Sequence, residues 1–394
     1  MEAVMSDPVV IVAAKRTPMG SMLGCFSALS AVDLGQVAVN AVVANTTRNV
    51  DQVIMGCVLP AGLGQAPARQ VALGAQLPIE CAALTINKVC GSGLKAVMLA
   101  HDALMLGQGE VIVAGGMESM SNAPYLLPYA RTGMRIGHQT TYDHMFIDGL
   151  ENAYDGKAMG CFAQASADHL GLTREAMDAF AMDSLQKAQA AQQAGRFNAE
   201  IAPVEIATKK SPITISDDEA PARAKPDKIP LLRPAFASDG TITAANSSSI
   251  SDGAAALLLT RLSSASAHGF EVLATIKAHS THSMAPEDFT IAPIGAIQKV
   301  CQQVGWGVDD VDLFEINEAF AMVTMAAQQA LQIEPHKINS NGGACALGHP
   351  IGASGARILV TLIHALRAQN KSRGVASLCI GGGEAVAVSV EIAS

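Results

Sequence analysis

The sequence predicts an α/β fold built from parallel βαβ units, and three observations predict it. Only 4% of the 394 residues are aromatic, while 49% are apolar and 35 are Gly, a composition that suits helices packed closely on sheets. Strand-like runs alternate with helices of 3.6-residue periodicity. The order strand, Gly-rich turn, helix, strand, Gly-Gly turn occurs twice, about 260 residues apart, and so marks an internal repeat.

In the first copy, residues 9–12 and 50–55 read as strands, and Thr85-Ile86-Asn87-Lys88-Val89-Cys90-Gly91-Ser92-Gly93 leads into a helix. That helix is amphipathic, with Leu94, Val97, Met98, His101, Leu104 and Met105 at i, i+3, i+4 spacing. A strand from Val111 then reaches a turn at Gly115-Gly116. Residues 121–249 are broken by Gly, Pro and Ser around one clear helix, 173–194, capped by Thr173 and stopped by Gly195. This segment is expected to be an inserted loop domain, after which strand 254–260 returns to the first half.

The second copy runs from Val308-Asp309-Asp310-Val311-Asp312-Leu313 through Lys337-Ile338-Asn339 to Leu347-Gly348-His349-Pro350-Ile351-Gly352. Its helix carries Ile358, Leu359, Leu362, Ile363 and Leu366 on one face, and Ala376-Ser377-Leu378-Cys379-Ile380 leads to Gly381-Gly382. The expected division is therefore 1–120 completed by 250–270, a loop domain at 121–249, and a second half at 271–394. In open α/β sheets chemistry gathers at the carboxyl ends of strands. Cys90, His349 and Cys379 all lie at or beside such ends.

The net charge is −9 and no run of five or six like charges occurs, which argues against nucleic acid as a partner. The first eight residues carry acid rather than Arg and read as neither a secretory signal nor a transit peptide. No apolar stretch reaches the ~18 to 20 residues of a membrane span. A soluble cytoplasmic protein with no membrane partner is expected. The eight cysteines, at 25, 57, 81, 90, 161, 301, 345 and 379, contain no C-x-x-C pair and read as free thiols, with no metal site or disulfide framework.

Cys90 precedes a helix start, where unpaired N–H groups and the helix dipole are expected to lower a thiol from its usual ~8.5. The neighbouring glycines are expected to clear space for a substrate, and those around His349 to keep its imidazole accessible. Pro350 fits a helix start. Cys379 ends a strand before Gly381-Gly382-Gly383, whose amides can form an anion-binding nest or only a tight turn. Two thiols and one imidazole make sense together: one thiol carries an acyl group, the imidazole takes its proton, and the other thiol exchanges a proton with carbon. Asn317, after strand 313–316, is either a helix N-cap or a carboxamide that holds water against a developing enolate. Gly91-x-Gly93-x-x-Ala96 also fits a dinucleotide loop, but the nearest acid, Glu110, precedes the next strand, so a nicotinamide dehydrogenase loses ground.

Four segments resemble the thiolase family: Asn87-Lys88-Val89-Cys90-Gly91-Ser92-Gly93, Asn317-Glu318-Ala319-Phe320, Asn341-Gly342-Gly343-Ala344 through Gly352, and Cys379 to Gly383. The resemblance implies two βαβαβαββ halves in five α-β-α-β-α layers, with a loop domain that covers coenzyme A. It implies acyl transfer as an acetyl-CoA C-acetyltransferase in fatty acid metabolism, with a degradative 3-ketoacyl-CoA thiolase of longer chain length as the alternative. A non-catalytic coenzyme A carrier of the same fold is a third reading. By the same likeness Cys90 takes the acyl group, His349 activates it, and Cys379 moves the carbon-bound proton. The Cys90 and Gly381 amides form one oxyanion hole, and His349 with an Asn317-bound water forms the other.

For coenzyme A, a substrate rather than a tightly bound cofactor, the resemblance points to Leu232, Arg233, Ala235, Phe236 and Ser248. Leu150, Met159, Phe289, Ala319 and Phe320 are expected to line the pantetheine and acyl channel. Arg223, Lys225, Lys228 and Arg233 form a basic island suited to nucleotide phosphates. A homotetramer is also implied. Departures fall in the binding region. Ala158-Met159-Gly160 stands where short-chain members read His-Met-Gly, Ser249 replaces a Gly or Thr, and Glu384 follows the glycine triplet where Gly, Met or Gln is usual. Phe289-Thr-Ile-Ala-Pro is similar to members that accept a 2-methyl branch and bind potassium.

Overall fold

A computed structural model describes residues 7–47 and 49–392, so the opening segment, residues 1–6, lies outside the described residues. The first half contributes strands β1 (Val9–Arg16), β2 (Gln52–Gly56), β3 (Ala82–Ile86), β4 (Val111–Ser119) and β5 (Ser251–Arg261). The second contributes β6 (Ala274–Ser283), β7 (Leu313–Ile316), β8 (Arg373–Ile380) and β9 (Glu384–Glu391). The main helices are α1 (Ala31–Val43), α2 (Pro67–Gly74), α3 (Ser92–Met105), α4 (Met159–His169), α5 (Arg174–Gln193), α6 (Ala292–Val304), α7 (Ala321–Leu331) and α8 (Ile351–Ala368).

The strands follow one path, β7-β8-β9-β6-β1-β5-β4-β2-β3. Within the sheet the halves join through Val10↔Thr275 and Ile11↔Ala274, between β1 and β6. Within each half the order is the same: β3-β2-β4-β5-β1 in the first and β7-β8-β9-β6 in the second, where an isolated bridge from Ile338 to Phe314 stands in place of β3. The repeat read from the sequence is thus a repeat of topology.

Alternation along the strands sorts the core into layers. Val9 and Ile11 of β1 face an inner core with α3 and α8, while Val10 and Val12 face an outer core with α1 and α2. A third core lies between the second half's sheet and α6 and α7. Helices α3 and α8 therefore form the middle of five layers, α8 packing on β4 and β5 of one half and on β7 and β8 of the other. Such double-sided contact leaves α8 almost no solvent-facing side, and 83% of it is buried, its polar Ser354, Arg357 and Thr361 included. It is long and apolar enough to cross a membrane by length and composition alone, which corrects the expectation that no stretch is. Here that apolarity is used to fill the middle layer.

One local expectation changes and another holds. Gly115 and Gly116 are not a turn but lie within β4, which runs on to Ser119. A Cβ on Gly115 would come 2.1 Å from Ala255 O, and one on Gly116 2.1 Å from Gly352 O, so these positions are flat against a neighbouring strand and the start of α8. Thr173 does cap α5, its hydroxyl accepting from Ala176 N at 3.2 Å, and Gly195 takes the left-handed φ of +66° that ends it.

Candidate active site

The Cys90 loop is a strained turn held by its own side chains. Val89, a β-branched residue, has φ +46°, a conformation that costs on the order of 1–3 kcal/mol. Asn87 Oδ1 accepts from Val89 N at 2.8 Å, and Ser92 Oγ donates to Val89 O at 2.7 Å. Lys88 Nζ pairs with Glu384 Oε2 at 2.5 Å, tying this loop to the strand beyond the glycine triplet. That pair is partly exposed and is worth at most about 1 kcal/mol.

Cys90 and His349 stand at the starts of the two middle-layer helices, which touch backbone to backbone. A Cβ on Gly93 would lie 2.8 Å from Ala356 N, and one on Gly355 2.4 Å from Leu94 N. Contrary to the expectation from the sequence, the glycines beside Cys90 do not open space for a substrate: that space holds α8 and Ile380, which a Cβ on Gly91 would meet at 2.4 Å. Nor do those around His349 expose it: Gly348 abuts Ser251, and the imidazole is only 6% accessible. Pro350 is the N-cap residue of α8.

His349 is held from both sides. Its N–H donates to Ser249 O at 3.0 Å, and its Nδ1 lies 2.5 Å from Ser354 Oγ. Ser354 Oγ donates its proton to Pro350 O at 2.9 Å, so it must accept from Nδ1–H. That fixes the tautomer and leaves Nε2 as the basic nitrogen, which is buried with no hydrogen-bond partner. Burial, and then the Arg357 charge, push the imidazole down to about 3. Asn317 sits behind it, its Nδ2 3.5 Å from Nδ1 and its Oδ1 3.5 Å from Arg357 Nη2. Asn317 is not a helix cap, since α7 begins at Ala321 with Phe320 as its N-cap residue.

Burial pushes the Cys90 thiol up to about 11, against the lowering effect of the Gly381 and Cys90 amides, which face the sulfur. This reverses the expected direction: loss of water around the thiolate outweighs the helix start. Cys379 is raised further by burial and by Cys90. At rest the groups are thiol and neutral imidazole, and charge develops only when a substrate supplies a reason for it.

All four groups, Cys90, His349, Cys379 and Gly381, line one cavity of about 370 Å3. So do Leu150, Met159, Ala235, Phe236, Ser248, Phe289, Ala319 and Phe320. Its wall contains no Lys, Arg, Asp or Glu, which suits an uncharged arm with a reactive end. Asn317, Arg223, Leu232 and Arg233 do not line it. Arg223 is exposed and paired with Glu219 at 2.8 Å, Arg233 is exposed, and Leu232 O accepts from Arg174 at 3.1 Å.

Sequence reasoning missed Phe146, Gly149, Ser247, Ile250 and Ile351 in the wall, and Ser354 and Glu118 behind it. Ser354, five residues after His349 in the same Gly-rich run, was findable. Buried Glu118, which accepts from Val58, Leu59 and Gly352 N–H groups at 2.8–3.1 Å, pins the loop after β2 to the start of α8 and carried no local signal.

Comparison with known proteins decides what kind of site this is. Residues 9–263 match the family "Thiolase, N-terminal domain" and residues 270–392 match "Thiolase, C-terminal domain". The chain belongs to the thiolase family. Similar proteins include acetyl-CoA acetyltransferases of Escherichia coli, 48% identical over 97% of this chain and 98% of the relative, and of Pseudomonas aeruginosa, 46% identical over the same shares. In structure this thiolase is similar to the Acat5 thiolase of Ascaris suum in complex with coenzyme A, with a TM-score of 0.93, 39% identity, and coverage of 98% of this chain and 100% of that one.

The neutral resting pair makes a prediction. Alkylation of Cys90 in the free enzyme, followed by mass spectrometry of its peptide, is expected to speed up about tenfold per pH unit through the neutral and mildly alkaline range. A rate already level by pH 7 would show a thiolate at rest and contradict the assignment.

Proposed function

We infer that this thiolase is an acetyl-CoA C-acetyltransferase, running acetoacetyl-CoA thiolysis or its reverse through an acyl thioester on Cys90. The observation that carries this is the meeting of two thiols, one basic imidazole nitrogen and the Gly381 amide on one uncharged cavity. The relatives named for acetyl-CoA and the similar structure holding coenzyme A support the substrate.

In the condensing direction Cys90 Sγ attacks the carbonyl of acetyl-CoA as Nε2 of His349 takes its proton, which then leaves with the coenzyme A thiol. The oxyanion formed lies against the Cys90 and Gly381 amides. His349 Nε2, free again, takes the Cys379 proton, and the Cys379 thiolate removes a proton from the methyl group of a second acetyl-CoA. The carbanion attacks the acyl-Cys90 carbonyl, expelling a Cys90 thiolate that takes the proton back from His349. By the family likeness a water bound to Asn317 would stand with His349 beside the enolate oxygen; Asn317 itself sits behind the imidazole, outside the cavity wall. Met159, Phe236, Phe289 and Phe320 line the pantetheine path within residues 121–249 and the second half, and Arg233 with Lys225 and Lys228 serves the phosphates outside. A potassium ion rests on the likeness at Phe289 alone, and no step uses one.

Free cysteines throughout the described residues agree with the reducing cytoplasm. Assembly into a homotetramer is supported by two apolar surfaces. Strand β3 ends the sheet with Leu84 exposed and Ile79 71% exposed beside it, and residues 125–142 expose Tyr125, Tyr129 and Ile136 at 69%, 72% and 94%. Light scattering of the wild type should give four times the chain mass, and Ile136→Asp with Tyr129→Ser should reduce it to a dimer. A wild-type monomer would refute the assembly.

Mixing with acetyl-CoA should add one acetyl group at Cys90, absent in Cys90→Ala, whereas Cys379→Ser should acetylate and fail to condense. A protein that gains no acetyl group is a carrier, and a strong preference for a long-chain 3-ketoacyl-CoA over acetoacetyl-CoA would overturn the short-chain assignment.

A further inference from the structure

About eleven residues along α3 from Cys90, and so ~16 Å away along the helix, a second group of metal-ligating side chains comes together. Asp102 Oδ1 lies 3.1 Å from His101 Nδ1 and 2.8 Å from His279 Nε2. The two rings stand edge to face, with centroids 5.0 Å apart and an interplanar angle of 86°. One ligand atom from each of the three residues lies within 4.8 Å of the others. We propose that His101, Asp102 and His279 form a binding site for a divalent transition metal ion of the zinc type, joining α3 of the first half to β6 of the second.

The spacing favours an ion. Two bonds of about 2.0 Å at a tetrahedral angle set donor atoms ~3.3 Å apart, so the Asp102 oxygen needs to move from each imidazole nitrogen by only a few tenths of an ångström, and the two nitrogens lie within 4.8 Å of each other. The donor set is right as well: two imidazoles and a carboxylate select zinc, nickel or cobalt over the harder magnesium and calcium. The rings are 18% exposed and Asp102 48%, which leaves solvent to complete the coordination.

The nearby charges set the affinity. Lys95 and Lys299 border a shallow depression beside His279, and the Lys299 ammonium donates to Thr281 O at 3.2 Å. Two cations so close weaken binding, so the ion is expected to be exchangeable. Nothing in the sequence announced the site, because His279 is 177 residues from Asp102 and the cysteine spacing gave no metal motif. The position outside the cavity makes it a staple between the halves rather than a part of the chemistry.

The test uses the whole enzyme, stripped with a chelator and dialysed against zinc or cobalt. Because active-site thiols also take these metals, the wild type is compared with His101→Ala/His279→Ala and with Asp102→Asn. The wild type should bind one more equivalent than the double variant, and zinc should raise its thermal midpoint but not the variant's. Asp102→Asn should bind more weakly, and all three should acetylate Cys90 at the same rate, which shows that they are folded. Equal metal content in wild type and double variant, or thermal midpoints that zinc moves equally in both, would overturn the proposal and leave a His–Asp–His hydrogen-bond cluster only.

Discussion

The site depends on the close crossing of α3 and α8. Side chains ordinarily keep helix axes 8–10 Å apart. Here Gly93 and Gly355 let the first turns meet at backbone distance, and Gly116 and Gly352 do the same between β4 and α8. Because Cys90 and His349 each stand just before one of these helices, the crossing delivers a nucleophile and its base to one cavity. Glu118 reinforces the crossing from beneath, through its bonds to the amides of Val58, Leu59 and Gly352. Cys379 and Gly381 then arrive at the end of β8, the strand on which the far side of α8 packs.

Such close packing has an electrostatic consequence. Cys379 and His349 are buried and Cys90 is half-buried at the cavity wall, so each is driven toward its neutral form. The charged groups that remain inside are paired or bridged behind the reacting atoms. Arg16 binds Glu200 at 2.6 Å and Asp218 at 2.7 Å, and Arg357 reaches Glu315 at 3.4 Å and Asn317 at 3.5 Å. Arg357 thereby links the carboxamide behind His349 to a buried carboxyl that burial raises to about 8. The cavity offers a reacting thioester fixed amides and a proton acceptor, with no charged side chain among its described wall residues.

Much of this was legible in the sequence. A period-2 alternation and a period-3.6 face survive in the residues themselves, so β1, α3, α5 and α8 could be placed, and the Gly-rich turns located Cys90, His349 and Cys379. Aromatic and aliphatic positions such as Phe236, Phe289 and Phe320 were found through likeness of motif. What could not be read depends on distant packing. The direction of the Cys90 shift is set by burial, which depends on distant packing that local sequence does not record. The glycines looked like openings because their neighbours in space were unknown. Phe146 and Ile250, which join the wall from separate segments, and the pairing of His101 with His279, needed the fold.

The central claim is that backbone contact between the two helix starts is what makes the site. Gly355→Ala tests it most directly, because its methyl group would meet the backbone of Leu94 at 2.4 Å, where no side chain can move aside. Overpacking of this kind costs about 1–3 kcal/mol. The variant should unfold at lower denaturant by that amount, and its folded fraction should acetylate Cys90 at least tenfold more slowly. Wild-type stability together with a wild-type acetylation rate would contradict the account.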